Sequence, residues 1–184
     1  MVIHTVGHGT LPADEFVALV RGAGIADVAD VRSHPGSRHN PQYGRDAMET
    51  WLADADLGYS WLRDLGGRRP ATPDSRHTAL RNDALRGYAD HMETAVFVAA
   101  EDRLLDEAAA GETVVMCSES VWWRCHRRLL ADHLVLVRDV EVVHLMHDGR
   151  RTPHVLTEGV RREGDRVVYD VGTTPGLPLG DTST

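Results

Sequence analysis

Thr113-Val114-Val115-Met116-Cys117, continuing into Ser118-Glu119-Ser120-Val121-Trp122-Trp123-Arg124-Cys125-His126-Arg127, decides how the chain is read. The apolar run Val114 to Met116 predicts a strand buried on both faces, and such strands belong to parallel sheets covered by helices. Upstream, Val2 to Val6 is β-rich and stops at Gly7-His8-Gly9, as a strand running into a turn does. Phe16, Leu19, Val20 and Ala23 then follow at helical spacing, and Ile25 to Arg32 reads as a second strand. Met48, Trp51, Leu52 and Ala55 mark a helix before a third strand, Tyr59 to Leu62. Leu85, Ala89, Met92, Val96 and Ala99 lie on one face of a helix that runs on towards Ala110. Downstream, Leu129, Leu130, His133 and Leu134 mark a further helix, and Val140 to Met146 a fifth strand.

Strands alternating with helices predict one α/β domain over residues 1–150, Rossmann-like or flavodoxin-like. Its sheet is expected to have five mostly parallel strands, in the order 3-2-1-4-5, with helices on both faces. Residues 151–184 read as a C-terminal appendage: Glu163-Gly164-Asp165 between two β-like runs predicts a hairpin, and the end after Gly172 is expected to fray.

Composition narrows the function classes. The chain has 184 residues, 42% hydrophobic and 26% charged, which excludes wholesale disorder and a coiled coil. No apolar run approaches the roughly 20 residues of a membrane span, and the start Met1-Val2-Ile3-His4 lacks the features of a signal peptide. A cytoplasmic protein with no membrane partner is the expectation. The net charge of −8 disfavours sequence-independent binding to long nucleic acid. All 20 basic residues are Arg, so every fixed cation is a planar guanidinium able to grip an anion with two hydrogen bonds. The two cysteines, Cys117 and Cys125, predict no structural disulfide in such a setting.

Ligands of open α/β sheets bind beyond the carboxyl ends of the strands, where strand order reverses. Three polar segments are expected to converge there. They are Gly7-His8-Gly9, Asp30-Val31-Arg32 running into Pro35, Ser37 and Arg38, and Cys117-Ser118-Glu119. Cys125, flanked by Arg124, His126 and Arg127 near a predicted helix start, has surroundings that lower a thiol pKa. Cys117, nearer the buried end of a strand, should be slower to react. Glu119 reads as a general base, a metal ligand or an arginine partner, and Asp30 as a partner for Arg32. His133, His144 and His147 read as core or surface residues rather than ligands, since no recognised ligand spacing is present and the two thiols lack CxxC geometry. Trp122 and Trp123 are expected to pack beneath the helix start.

The segment from Cys117 to Arg124 is similar to the anion-cradling loops of thiol phosphatases and rhodaneses. With six intervening residues and few glycines, it departs from the phosphatase pattern. The wider chain resembles the domain-of-unknown-function family 488. That resemblance rests on Thr5-Val6-Gly7-His8, on Asp30-Val31-Arg32 with Pro35 and Ser37-Arg38, and on Leu65-Gly66-Gly67. Cys117-x-Glu119 followed by Cys125-His126-Arg127, and Val143-His144, complete it over roughly residues 3–146. The family often has Ser after the first-strand His, where this chain has Gly9. The resemblance implies the fold and the pocket, and the family carries no settled activity.

Three function classes follow. The first is an enzyme acting on a small anionic molecule such as a nucleotide or modified base. In it Arg32, Ser37, Arg38 and Arg127 grip the anion, His8 or His126 moves protons, and Cys125 or Cys117 is the nucleophile. The second is a module that binds a nucleotide or nucleic-acid end without chemistry. The third is a metal- or redox-linked protein using Cys117 and Cys125; for this one the expected outcome is a metal-free protein.

Overall fold

A computed structural model describes residues 1–36 and 38–172 of the chain. Ser37 and the end after Gly172, on both of which expectations fall, lie outside the described residues.

The main sheet contains β1 (Val2–Gly7), β2 (Asp27–Asp30), β3 (Gly58–Trp61), β4 (Thr113–Cys117), β5 (Glu141–Leu145) and β6 (Arg151–Pro153). Five helices connect them: α1 (Ala13–Gly22), α2 (Arg45–Asp54), α3 (Asp83–Met92), α4 (Ala95–Ala110) and α5 (Arg127–Leu136). A separate hairpin pairs β7 (Val160–Glu163) with β8 (Arg166–Tyr169). The fold is therefore α/β with a mixed, mostly parallel sheet.

Three expectations are corrected. The sheet has six strands, not five, because β6 adds an antiparallel edge against β5. Its order is β3-β2-β4-β1-β5-β6, so β4 stands between β2 and β1 instead of beyond β1. The physical reason is visible in the strands. Every residue of β4 is buried and suits an interior position, whereas Gly58-Tyr59-Ser60-Trp61 is half-buried throughout and takes the edge. The single long helix expected from Leu85 to Ala110 is also two. Thr94 interrupts it, its side chain accepting from Phe97 N at 3.2 Å to cap the start of α4.

Because successive strand residues point to opposite faces, β4 serves two cores. Val114 and Met116 join Val6, Phe16, Val20, Met48 and Leu52, drawing in α1 and α2. Val115 and Cys117 join Tyr88, Phe97, Leu104 and Leu129, drawing in α3, α4 and α5. Each large aliphatic side chain buried this way contributes about 1.5–3 kcal/mol. Val167 and Tyr169 of β8 enter the second core, which ties the hairpin to α5.

The placement of β4 brings three strand ends together. Register pairs Gly7 with Cys117 and Asp30 with Met116. The ladder continues past the strands: His8 N donates to Cys117 O at 2.9 Å, Gly9 N to Ser118 O at 3.0 Å and Val31 N to Met116 O at 3.0 Å. Among the described residues no helix is long and apolar enough to cross a membrane.

Candidate functional site

A cleft of about 480 Å³ opens at these carboxyl ends. His8, Arg32, Cys117, Glu119, Cys125 and His126 all line it. Arg127 lies beneath, fully buried, and Arg38 is exposed and away from the lining.

The floor is a sulfur and imidazole cluster. After β4 the chain runs through the 3-10 turn Trp122–Arg124 and returns, so that Cys125 and His126 stand over Cys117. His126 Nδ1 lies 3.6 Å from Cys125 Sγ and 3.9 Å from Cys117 Sγ, and all three atoms fall within 4.8 Å of one another. Both thiols are free and buried. Two glycines permit this closeness. A Cβ at Gly67 would stand 2.8 Å from His126 Nδ1, and one at Gly7 would overlap the Glu119 carbonyl oxygen. His126 also packs edge-on to Tyr88 at 4.9 Å, and among the described residues its buried Nε2 has no hydrogen-bond partner.

Cys125 precedes α5 rather than sitting in its first turn, since Arg127 opens the helix and His126 is its N-cap. The expected helix-terminus effect on the thiol is replaced by direct contacts. Arg127 Nε donates to Cys125 Sγ at 3.4 Å, while Nη2 donates to the Glu119 carbonyl oxygen. The Cys125 thiol is held well below its ordinary pKa, first by a hydrogen bond from the Cys117 thiol, then by His126 and Arg127, against the opposing effect of burial. The same shared hydrogen bond, with burial, pushes the Cys117 thiol up.

The wall is a chain of partnered side chains. Asp30 takes Arg32 in a fork, from Nε at 2.9 Å and Nη2 at 2.6 Å, and also accepts from Tyr59 Oη at 2.9 Å. Arg32 Nη1 donates to His8 Nε2 at 3.2 Å, and His8 Nδ1 donates to Gly9 O at 2.8 Å. The His8 ring stacks on Tyr43 at 3.8 Å. Burial first, then the Arg32 charge, lowers its pKa to about 4, so it is neutral with both nitrogens engaged. Glu119 turns its carboxylate to Val121 N at 3.1 Å and shapes the loop.

Sequence reasoning passed over Arg68, exposed at the cleft mouth beside Arg124, and His34, Asn82 and Leu85 near them. The signal for Arg68 was its place directly after Leu65-Gly66-Gly67. Its φ of +61° is left-handed, uncommon for a residue with a Cβ.

A second cluster lies outside the cleft lining. His144 Nδ1 is 2.6 Å from Thr5 Oγ1, its Nε2 is 3.0 Å from His154 Nδ1, and His154 Nε2 is 2.9 Å from Asp132 Oδ1. Trp122 stacks on His144 at 3.9 Å. Burial, then His154 and Arg127, lowers the His144 pKa to about 3.

No curated protein and no solved structure matches the chain. The family described as Domain of unknown function DUF488 matches residues 12–134, a span from the start of α1 into α5 that includes β4, both cysteines and Arg127, and the chain belongs to that family.

Proposed function

We propose that this protein is an enzyme acting on a small anionic molecule, a class that includes nucleotides and modified bases, held in the cleft above Cys117, Cys125 and His126. One observation carries the reading. The buried Arg127 guanidinium has a sulfur and a peptide oxygen as acceptors and, among the described residues, no carboxylate partner. A buried cation requires a counter-charge, and the atom positioned to carry it is Cys125 Sγ. A thiolate facing a cleft is a reacting centre rather than packing.

The other residues take supporting roles. His126 Nδ1, facing both sulfurs, exchanges protons with them, and Cys117 donates its thiol hydrogen to Cys125. Arg32 keeps one Nη1 hydrogen for a ligand beyond those given to Asp30 and His8, while Arg68 and Arg124 attract the anion at the mouth. His8 orients Arg32. A Rossmann-like placement of the ligand beyond the strand ends supports the same reading, and a cytoplasmic setting would keep both thiols reduced.

Alkylation with iodoacetate and iodoacetamide, mapped by peptide mass spectrometry on chelator-treated protein at pH 7, tests this. Cys125 should react several-fold faster than a model thiol, and the anionic reagent should be favoured more than it is with that thiol. A Cys125 rate no greater than the model thiol's removes the basis of the proposal.

A further inference from the structure

The three atoms on the cleft floor have the shape of a coordination sphere. A tetrahedral zinc ion with Zn–S about 2.3 Å and Zn–N about 2.0–2.1 Å sets its sulfur and nitrogen ligands about 3.6 Å apart. The observed distances are 3.6 Å from His126 Nδ1 to Cys125 Sγ and 3.9 Å to Cys117 Sγ. All three lie within 4.8 Å of one another.

We propose that Cys117 Sγ, Cys125 Sγ and His126 Nδ1 bind one zinc ion whose fourth coordination position opens into the cleft. The inference rests on the thiolate centre argued above and deepens it by naming what the thiolates hold. Three protein ligands and one open position is the arrangement of a reacting zinc site, whereas structural sites close all four. The soft donor set of two sulfurs and one imidazole favours zinc over magnesium or calcium.

The surroundings fit an occupied site. Arg127 Nε on Cys125 Sγ and Ser118 Oγ, 4.0 Å from Cys117 Sγ, stand where outer hydrogen bonds orient metal-bound thiolates. The Gly67 backbone against the His126 ring, with Tyr88 edge-on to it, fixes Nδ1 towards the sulfurs. Loading displaces the Cys117 thiol proton to solvent, so two thiolates neutralise the dication and the imidazole remains neutral. Arg127 then leaves the centre with a net charge of +1. The open position is therefore a site for an anionic oxygen, such as one from a carboxylate or phosphate, which selects the same substrate class as the arginines at the mouth.

The test is titration of chelator-treated wild-type protein with cobalt(II), a spectroscopic substitute for zinc, together with metal analysis of protein purified without chelator. We expect about one zinc per chain as purified. Cobalt should bind one-to-one, with a thiolate-to-metal charge-transfer band and the intense visible absorption of a tetrahedral ion. Inorganic phosphate should perturb that visible spectrum. Cys117→Ser and His126→Ala should each weaken cobalt binding at least tenfold, and circular dichroism checks their folding. Absence of the charge-transfer band in the wild-type protein overturns the site whatever the variants do. Rapid iodoacetate alkylation of protein that takes up no cobalt overturns zinc binding alone. Cobalt uptake by protein whose metal-free Cys125 alkylates no faster than a model thiol supports the site and overturns the thiolate reading.

Discussion

Two of the buried clusters that contain histidine end differently. The chain from Thr5 through His144 and His154 terminates on Asp132, whose carboxylate also accepts from Thr157 N and Tyr169 Oη at 2.9 Å each. Every step finds an acceptor, and the cluster is closed. On the cleft floor the cation Arg127 meets sulfur and a peptide oxygen, and His126 Nε2 is left without a partner. Buried polar groups that complete their hydrogen bonds hold a fold together, and an incomplete set that lines a cleft is where a ligand can supply the missing partner. The difference separates architecture from chemistry among residues of the same type.

Acid should act most strongly on both regions. The unfolded chain protonates its histidines near pH 6.5, but folded His8 does so only at about 4 and folded His144 at about 3. Between those values the unfolded state binds more protons, so stability is complete above pH 6.5 and falls as pH drops towards 3. The loss is about 3 kcal/mol for His8 and about 5 for His144, as upper figures. Urea unfolding at pH 7, 5.5 and 4 measures the slope, and His144→Asn should flatten it more than His8→Asn. Equal slopes in all three proteins would show that neither histidine carries the acid response.

Asp132→Ala comes next. It strands three donors in the core, and a loss of about 3–5 kcal/mol is expected in chemical denaturation. Gly7→Ala should cost about 1–3 kcal/mol, since the added methyl displaces the Glu119 carbonyl. Its second effect is slower alkylation of Cys125, because that carbonyl holds Arg127. A Gly7→Ala protein with unchanged alkylation would show that the two are independent. Cys125→Ser should abolish the fast alkylation and also destabilise the fold, because it leaves the buried Arg127 without its counter-charge. Unchanged stability in that variant would show that Cys125 does not carry the charge that balances Arg127.

What could be read from sequence divides along physical lines. The apolar run of β4 and the turns after β1 and β2 are local signals, and the loops carrying His8, Arg32 and Cys117 do meet. The fork between Asp30 and Arg32 was legible from their spacing of two on a strand. The sulfur and imidazole cluster was legible only as the third alternative for Cys117 and Cys125 and without His126, because the two cysteines stand eight residues apart and are joined by a turn whose path no periodicity records. Which strand pairs with which is likewise a long-range choice, so the insertion of β4 was missed. The three residues of β6 are too few to show an alternation.

That insertion also sets the order in which the molecule can be made. Among the described residues β1 pairs only with β4 and β5, and β2 only with β3 and β4. A chain emerging from the ribosome can therefore join β2 to β3 early, while β1, synthesised first, has no strand partner until Thr113 has appeared. Non-local pairing of this kind slows folding and leaves an apolar edge open in the interval. Val2-Ile3-His4-Thr5-Val6 is that edge. The central strand of the finished sheet is a late arrival, and the carboxyl ends that make the cleft come together only when it docks.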